Sequence, residues 1–232
     1  MSQLTLYSSI GVQVVVEELA PQFEKASGHQ LTITWGTAPM LVKRIEAGEA
    51  ADVLIRSQAG IATLREQGKI APGSDVAIGS SGVAIAVKAG ARKPDISTPE
   101  ALKRTLLEAK SVSYSEPSAG GASGVYFAKL IERMGIAAEM KAKTRYPPPG
   151  GFSANLLLTG EAELAVQQKP ELMRVAGAEV VGQLPGDLNM VTAFAAAIGA
   201  GSRNAEAAKA FIAALKSPQA AAVFRAKGLD PG

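Results

Sequence analysis

The sequence predicts an α/β protein of two lobes, each a mostly parallel sheet flanked by helices. Short apolar runs alternate with helical periodicity from the N-terminus onward, the order that builds parallel sheets with helices on their faces. One apolar run is interrupted by Gly79-Ser80-Ser81-Gly82, which reads either as a crossing between lobes or as a bulged strand. A Gly-Glu-Ala joint recurs once in each half, at Gly48-Glu49-Ala50 and Gly160-Glu161-Ala162, each time between a helix and a strand. Together these observations predict lobe I from 1–81 and 188–232, lobe II from 82–187, and a ligand cleft between them.

Each element has its own local signal. An apolar strand at 4–7 leads into a helix at 12–27, whose Val12, Val15, Val16, Leu19 and Phe23 share a face before Gly28 ends it. A strand at 31–35 precedes a helix at 39–47, with Pro39 at its start and Gly48 just past its end. A third strand at 53–55 and helix at 59–67 complete the first βαβαβα run. In the second half, Thr98-Pro99-Glu100 opens a helix to residue 109. Strands follow at 111–115, 142–146, 164–167 and 179–181, with helices at 123–134 and 153–159. A return strand at 191–198 and two closing helices, 204–215 and 218–227, finish the chain.

Composition narrows the function. Of 232 residues 47% are hydrophobic, enough for a substantial core. The net charge of +3 comes from mixed signs without a basic run, so a nucleic-acid partner is not expected. The chain has no cysteine, which excludes disulfides and thiolate metal sites. No run approaches the roughly 20 apolar residues of a membrane span, and no leader precedes the first strand. The expected compartment is the periplasm if a leader was removed, and otherwise the cytoplasm. A monomer without cofactor or metal is expected.

In open parallel sheets ligands bind beyond the carboxyl ends of the strands. The residues at those ends here are small, hydroxylated or glycine, and each group feeds a helix. Ser8 and Ser9 follow the first strand, Thr37 the second and Arg56 the third. In the second half Ser118, Gly121 and Ser123 lie in a loop that includes Gly120-Gly121-Ala122-Ser123-Gly124, while Gly151 and Ser153 follow Pro147-Pro148-Pro149-Gly150. Gln168 ends the strand after that. Helix N-termini present free N–H groups and partial positive charge, so this pattern predicts an anion site. The glycine-rich loop lacks the Walker lysine, which argues against a nucleotide phosphate loop. Arg56, directly after a buried strand, is the expected charged anchor, with Arg145 a weaker parallel. His29 is the sole histidine and is expected at the opposite strand end, which argues against a Ser-His-Asp triad and a histidine metal cluster.

The chain resembles the periplasmic molybdate-binding-like proteins of the type 2 periplasmic binding fold. The resemblance is carried by Tyr7-Ser8-Ser9, the segments 23–28, 31–36 and 43–55, Gly160-Glu161-Ala162-Glu163, and 217–224. It implies two lobes closing on a small anion, with Ser8 or Ser9 and Thr37 at the positions of the family's oxyanion-binding hydroxyls, and an ABC transporter membrane component as a partner. The chain departs from the pattern with Gln167-Gln168 where a tyrosine is frequent, with Arg56, and with the expanded 120–124 loop. An arginine and two amides suit an organic di- or tricarboxylate better than a compact tetrahedral oxyanion. Aconitate isomerase resembles the same broad family, so a cofactor-free isomerase of a small polycarboxylate is the second reading and a cytoplasmic ligand sensor the third. Glu116 or Tyr146 would be a base for the isomerase, although their spacing does not mark out either one.

Overall fold

The computed structural model describes residues 1–119, 121–148 and 150–232; Gly120 and Pro149, part of the loops singled out above, lie outside the described residues. The chain forms two compact units, Met1–Ser80 with Thr192–Gly232, and Ser81–Val191.

The first unit opens with β1 (Gln3–Ser9), a 3-10 turn capped by Ser9, and α1 (Gln13–Ser27). Gly28 ends α1 in the left-handed conformation its sequence position predicts. Then come β2 (Gln30–Gly36), α2 (Ala38–Glu46), β3 (Val53–Ser57), α3 (Gln58–Glu66) and the first half of β4 (Val76–Lys88). β1 lies between β2 and β3, parallel to both. Strand alternation sends Leu4, Leu6, Val53 and Ile55 to one face of this sheet, and Tyr7 and Leu54 to the face covered by α2 and α3.

β4 does not break at Gly79–Gly82. Ser80 and Gly79 pair with the chain's last strand, and residues from Val83 onward pair within the second unit. Neither Gly79 nor Gly82 has a positive φ. What glycine provides there is space. A Cβ at Gly79 would lie 2.7 Å from the Phe224 ring, and one at Gly82 would lie 2.4 Å from Gln183 Oε1.

The second unit continues with α4 (Pro99–Glu108), β5 (Val112–Tyr114), α5 (Ala122–Arg133), α6 (Ala137–Lys143) and β6 (Thr144–Arg145). It ends with α7 (Asn155–Thr159), β7 (Leu164–Gln168), α8 (Lys169–Met173) and β8 (Ala178–Gln183). The strand expected at 142–146 is mostly helix. Ala, Glu, Met and Lys in 137–143 are strong helix formers, and Met140 is fully buried in the core under α5, so only Thr144 and Arg145 pair with β5. β5 also pairs in parallel with β7, and β4 runs antiparallel to β7 and β8. One face holds Val83, Ile85, Phe127 and Leu130; the other holds Ala84, Ala86, Ala165 and Leu172.

The chain returns to the first unit through β9 (Val191–Ile198), antiparallel to β3, then α9 (Ala205–Leu215), α10 (Pro218–Ala226) and β10 (Asp230–Pro231). α9 and α10 pack with α1 on the Leu4 and Leu6 face through Phe211, Ile212 and Phe224. Full burial of such a side chain contributes about 1.5–3 kcal/mol.

Candidate functional site

The first unit gathers polar residues at one sheet edge. Ser8 is in register with Trp35 on one side and Ile55 on the other, and Ser9 with Gly36, so the carboxyl ends of β1, β2 and β3 lie side by side. Ser8 is fully buried, with its hydroxyl 3.4 Å from the Ser9 carbonyl. Ser9 is extended, and its Oγ accepts from the Gly11 N–H at 3.3 Å. Thr37 occupies the cap position of α2 in an extended conformation, yet its hydroxyl makes no capping bond. Ser57 caps α3, its Oγ accepting from the Gly60 N–H at 3.2 Å. Two nine-residue helices thus begin at this edge, each directing N–H groups toward it.

Arg56 is the charge at that edge. It follows Ile55 on the α2 and α3 side of the sheet and is 7% exposed. Its Nε is enclosed and has no hydrogen-bond partner. Among the described residues no carboxylate pairs with it, and burial alone draws its pKa below the usual arginine value. Enclosing part of an unpaired cation is unfavourable.

The second unit presents a different set of groups. Gly121 takes the cap position of α5 in an extended conformation and has no side chain to fill it. Ser123 is buried in the first turn, while Ser118 is exposed on the preceding 3-10 turn. Gly124 lets α5 lie against the backbone of Ser115, whose carbonyl oxygen would be 2.1 Å from a Cβ. The Gly151 N–H is taken up internally by the Pro148 carbonyl at 2.8 Å. Ser153 is fully buried. Its N–H and its hydroxyl both donate to Gln167 Oε1, at 2.9 and 3.0 Å. Gln168 caps α8 in a reciprocal box with Glu171, whose carboxylate accepts the Gln168 N–H at 3.2 Å. Burial pushes the Glu171 carboxyl up to about 7, against the pull of Gln168 and Gln167.

Other polar and aromatic residues have structural partners. Arg145 is exposed and donates to the carbonyls of Ala142 and Thr144. Tyr126 donates to the Leu188 carbonyl at 3.0 Å. Glu116 is exposed, as is Tyr146, whose hydroxyl lies 3.3 Å from that of Tyr114. Trp35 packs against the α1 core, and His29 accepts from the Ser2 N–H. Among the described residues no group of three or more His, Cys, Asp or Glu side chains is placed to hold a metal, and no helix is long and apolar enough to cross a membrane.

The profile of the bacterial extracellular solute-binding protein family matches residues 4–230. The chain belongs to this family. This solute-binding protein is 36% identical over its full length to aconitate isomerase from a Pseudomonas species, covering 88% of that protein. It is 24% identical, over 97% of its length and 88% of the relative, to the molybdate-binding protein ModA of Escherichia coli. Its fold matches the periplasmic molybdate-binding protein of Azotobacter vinelandii at a TM-score of 0.77 and 20% identity, covering 97% and 98% of the two chains. It also matches the substrate-binding domain of a molybdenum ABC transporter from Clostridium difficile, at a TM-score of 0.78 and 16% identity over 99% of each chain. The type 2 periplasmic binding fold is therefore the fold of this solute-binding protein.

Two residues at these edges escape sequence reasoning. Gly60 completes the first turn beside Arg56 and Ser57, and a lone glycine in a helix carries little signal. Glu171, with Gln167, ties Ser153 to α8. The Gln168-x-x-Glu171 spacing is that of a capping box, which was the available clue.

Proposed function

We propose that this solute-binding protein captures a small organic carboxylate, with Arg56 as the anchoring cation. The supporting observation is the guanidinium itself, buried at the carboxyl end of β3 without a counter-charge among the described residues. A planar guanidinium forms two parallel bonds to a carboxylate, and the first turns of α2 and α3 add N–H donors and favourable dipoles. The Ser9 and Thr37 hydroxyls stand at the neighbouring strand ends. A polycarboxylate is favoured over molybdate because the relative named for an aconitate substrate is 36% identical and the one named for molybdate 24%.

The test is calorimetric titration of trans-aconitate, citrate, sulfate and molybdate into the wild type and Arg56→Met. Trans-aconitate should bind the wild type and lose at least about a hundredfold in affinity in the variant, the cost of losing a paired charged bond. Unchanged affinity in Arg56→Met would remove Arg56 from the site. Binding of molybdate alone would replace the carboxylate reading.

The same full-length identity supports a second reading, isomerisation of a propene tricarboxylate by proton removal and return. Deuterium entering trans-aconitate in heavy water, in proportion to protein concentration, would establish it; no protein-dependent exchange leaves capture alone. For capture, we propose export and delivery to a membrane transporter, as the name of the Clostridium difficile neighbour describes for that protein. Cell fractionation tests the export.

A further inference from the structure

We infer that Gly60 is a positioning residue for the anchor, the position whose missing side chain leaves room for the Arg56 guanidinium against the first turn of α3. This rests on the carboxylate reading above. Gly60 lies inside α3, at its third residue, and its φ is not positive. The backbone there does not need glycine, and glycine in a helix costs about 1 kcal/mol relative to alanine. The three atoms nearest to a Cβ at this position would all belong to side chains: Ser57 Oγ at 3.1 Å, Arg56 Cζ at 3.2 Å and Arg56 Nε at 3.3 Å. A methyl group here would crowd the guanidinium and force it to shift by a few tenths of an ångström.

The seat also orients the head group. Nε is fully enclosed without a partner, and among the described residues no hydrogen bond or ion pair engages the two terminal nitrogens. The fork thus offers its terminal pair to a carboxylate. A methyl group at residue 60 would press on Cζ and Nε and turn that pair away. In the apo protein the same change removes a helical glycine. Binding and stability are therefore expected to move in opposite directions, which a purely structural glycine would not produce.

The experiment measures trans-aconitate affinity by calorimetry and apo melting temperature for the wild type, Gly60→Ala, Arg56→Lys, Arg56→Lys/Gly60→Ala, Arg56→Met and Arg56→Met/Gly60→Ala. Gly60→Ala should weaken binding about tenfold, the loss of one charged bond, with a melting temperature equal to or above that of the wild type. On the lysine background, which has no planar group to displace, the added alanine should change affinity less than about twofold. If Gly60→Ala binds as the wild type while Arg56→Met does not, Arg56 stands and the positioning role is overturned. If Arg56→Met binds normally, the underlying reading fails first. If Gly60→Ala melts lower, the Met background decides: alanine should then raise the melting temperature because the guanidinium is gone, and failure to do so overturns the steric explanation.

Discussion

Replacing Glu171 with glutamine should stabilise the protein at pH 8 and change it little at pH 5. The side chain is half-buried at the start of α8, and desolvation raises its pKa from 4.5 to about 7. In the unfolded chain it returns to the ordinary value. Between those values the unfolded state has released the proton while the folded state still holds it. Stability therefore falls as pH rises from about 4.5, and the full loss is present above about 7. At about 1.4 kcal/mol per pH unit the ceiling is ~3 kcal/mol. Glutamine never ionises, has nearly the same shape and still suits the third position of a capping box. Its amide hydrogens need an acceptor that the carboxylate did not, which takes back ~1 kcal/mol. The net gain expected at pH 8 is about 1–2 kcal/mol. Urea unfolding of both proteins at pH 5, 6, 7 and 8 measures it, and the difference between them cancels the titration of every other group. A difference that does not change with pH, or one that favours the wild type more at pH 8 than at pH 5, would refute the burial argument.

Other substitutions probe neighbouring parts of the structure. Arg56→Met, besides losing trans-aconitate, should raise apo stability by about 1–4 kcal/mol, because an uncompensated buried charge is replaced by a chain of similar volume; a lower melting temperature would show that the guanidinium is already compensated. Gly124→Ala should cost about 1–3 kcal/mol in urea unfolding, since its methyl group would meet the Ser115 carbonyl oxygen and not a flexible side-chain end. Ser153→Ala should cost about 1 kcal/mol and leave trans-aconitate affinity unchanged, because its donors are engaged with Gln167. Weakened binding without a stability loss would mean that this hydroxyl serves the solute.

The parts of the fold legible in the sequence are those where local signals agree. In the first unit Pro39 at the second position of α2, the left-handed Gly28 and Gly48, and the apolar face of α1 all point to the observed elements. The repeated Gly-Glu-Ala joint is legible for a physical reason: Gly48 and Gly160 both take a left-handed turn after a helix. Tertiary partners decide the rest. β10 has two residues and exists through its pairing with β4, and α8 is five residues held by the Gln168 and Glu171 box. Gly79 and Gly82 look like conformational punctuation, but their reason is the proximity of Phe224 and Gln183, which no local window contains. At the candidate site, Arg56 visibly follows an apolar strand. That no acid among the described residues reaches it, and that Gly60 lies against it, depends on where α3 packs.

The two ends of β3 show why the bare guanidinium is more than a packing defect. Asp52 precedes the strand and is 8% exposed; Arg56, near its far end, is 7% exposed. Asp52 is supplied with donors from three places in the sequence: the Thr5 N–H at 2.9 Å, the Ser202 hydroxyl at 2.6 Å and the Asn204 amide at 3.4 Å. The same fold thus surrounds a buried charge with partners at one end of the strand and, among the described residues, provides no counter-charge at the other. The uncompensated end is also the one where α2 and α3 begin and where a helix carries glycine in place of a better helix former. Departures from local stability that coincide at one place are expected where stability is exchanged for binding. An anion from outside the chain would supply what Asp52 receives from within it. The apo protein should therefore gain more stability from a bound carboxylate than Arg56→Met gains from losing its charge.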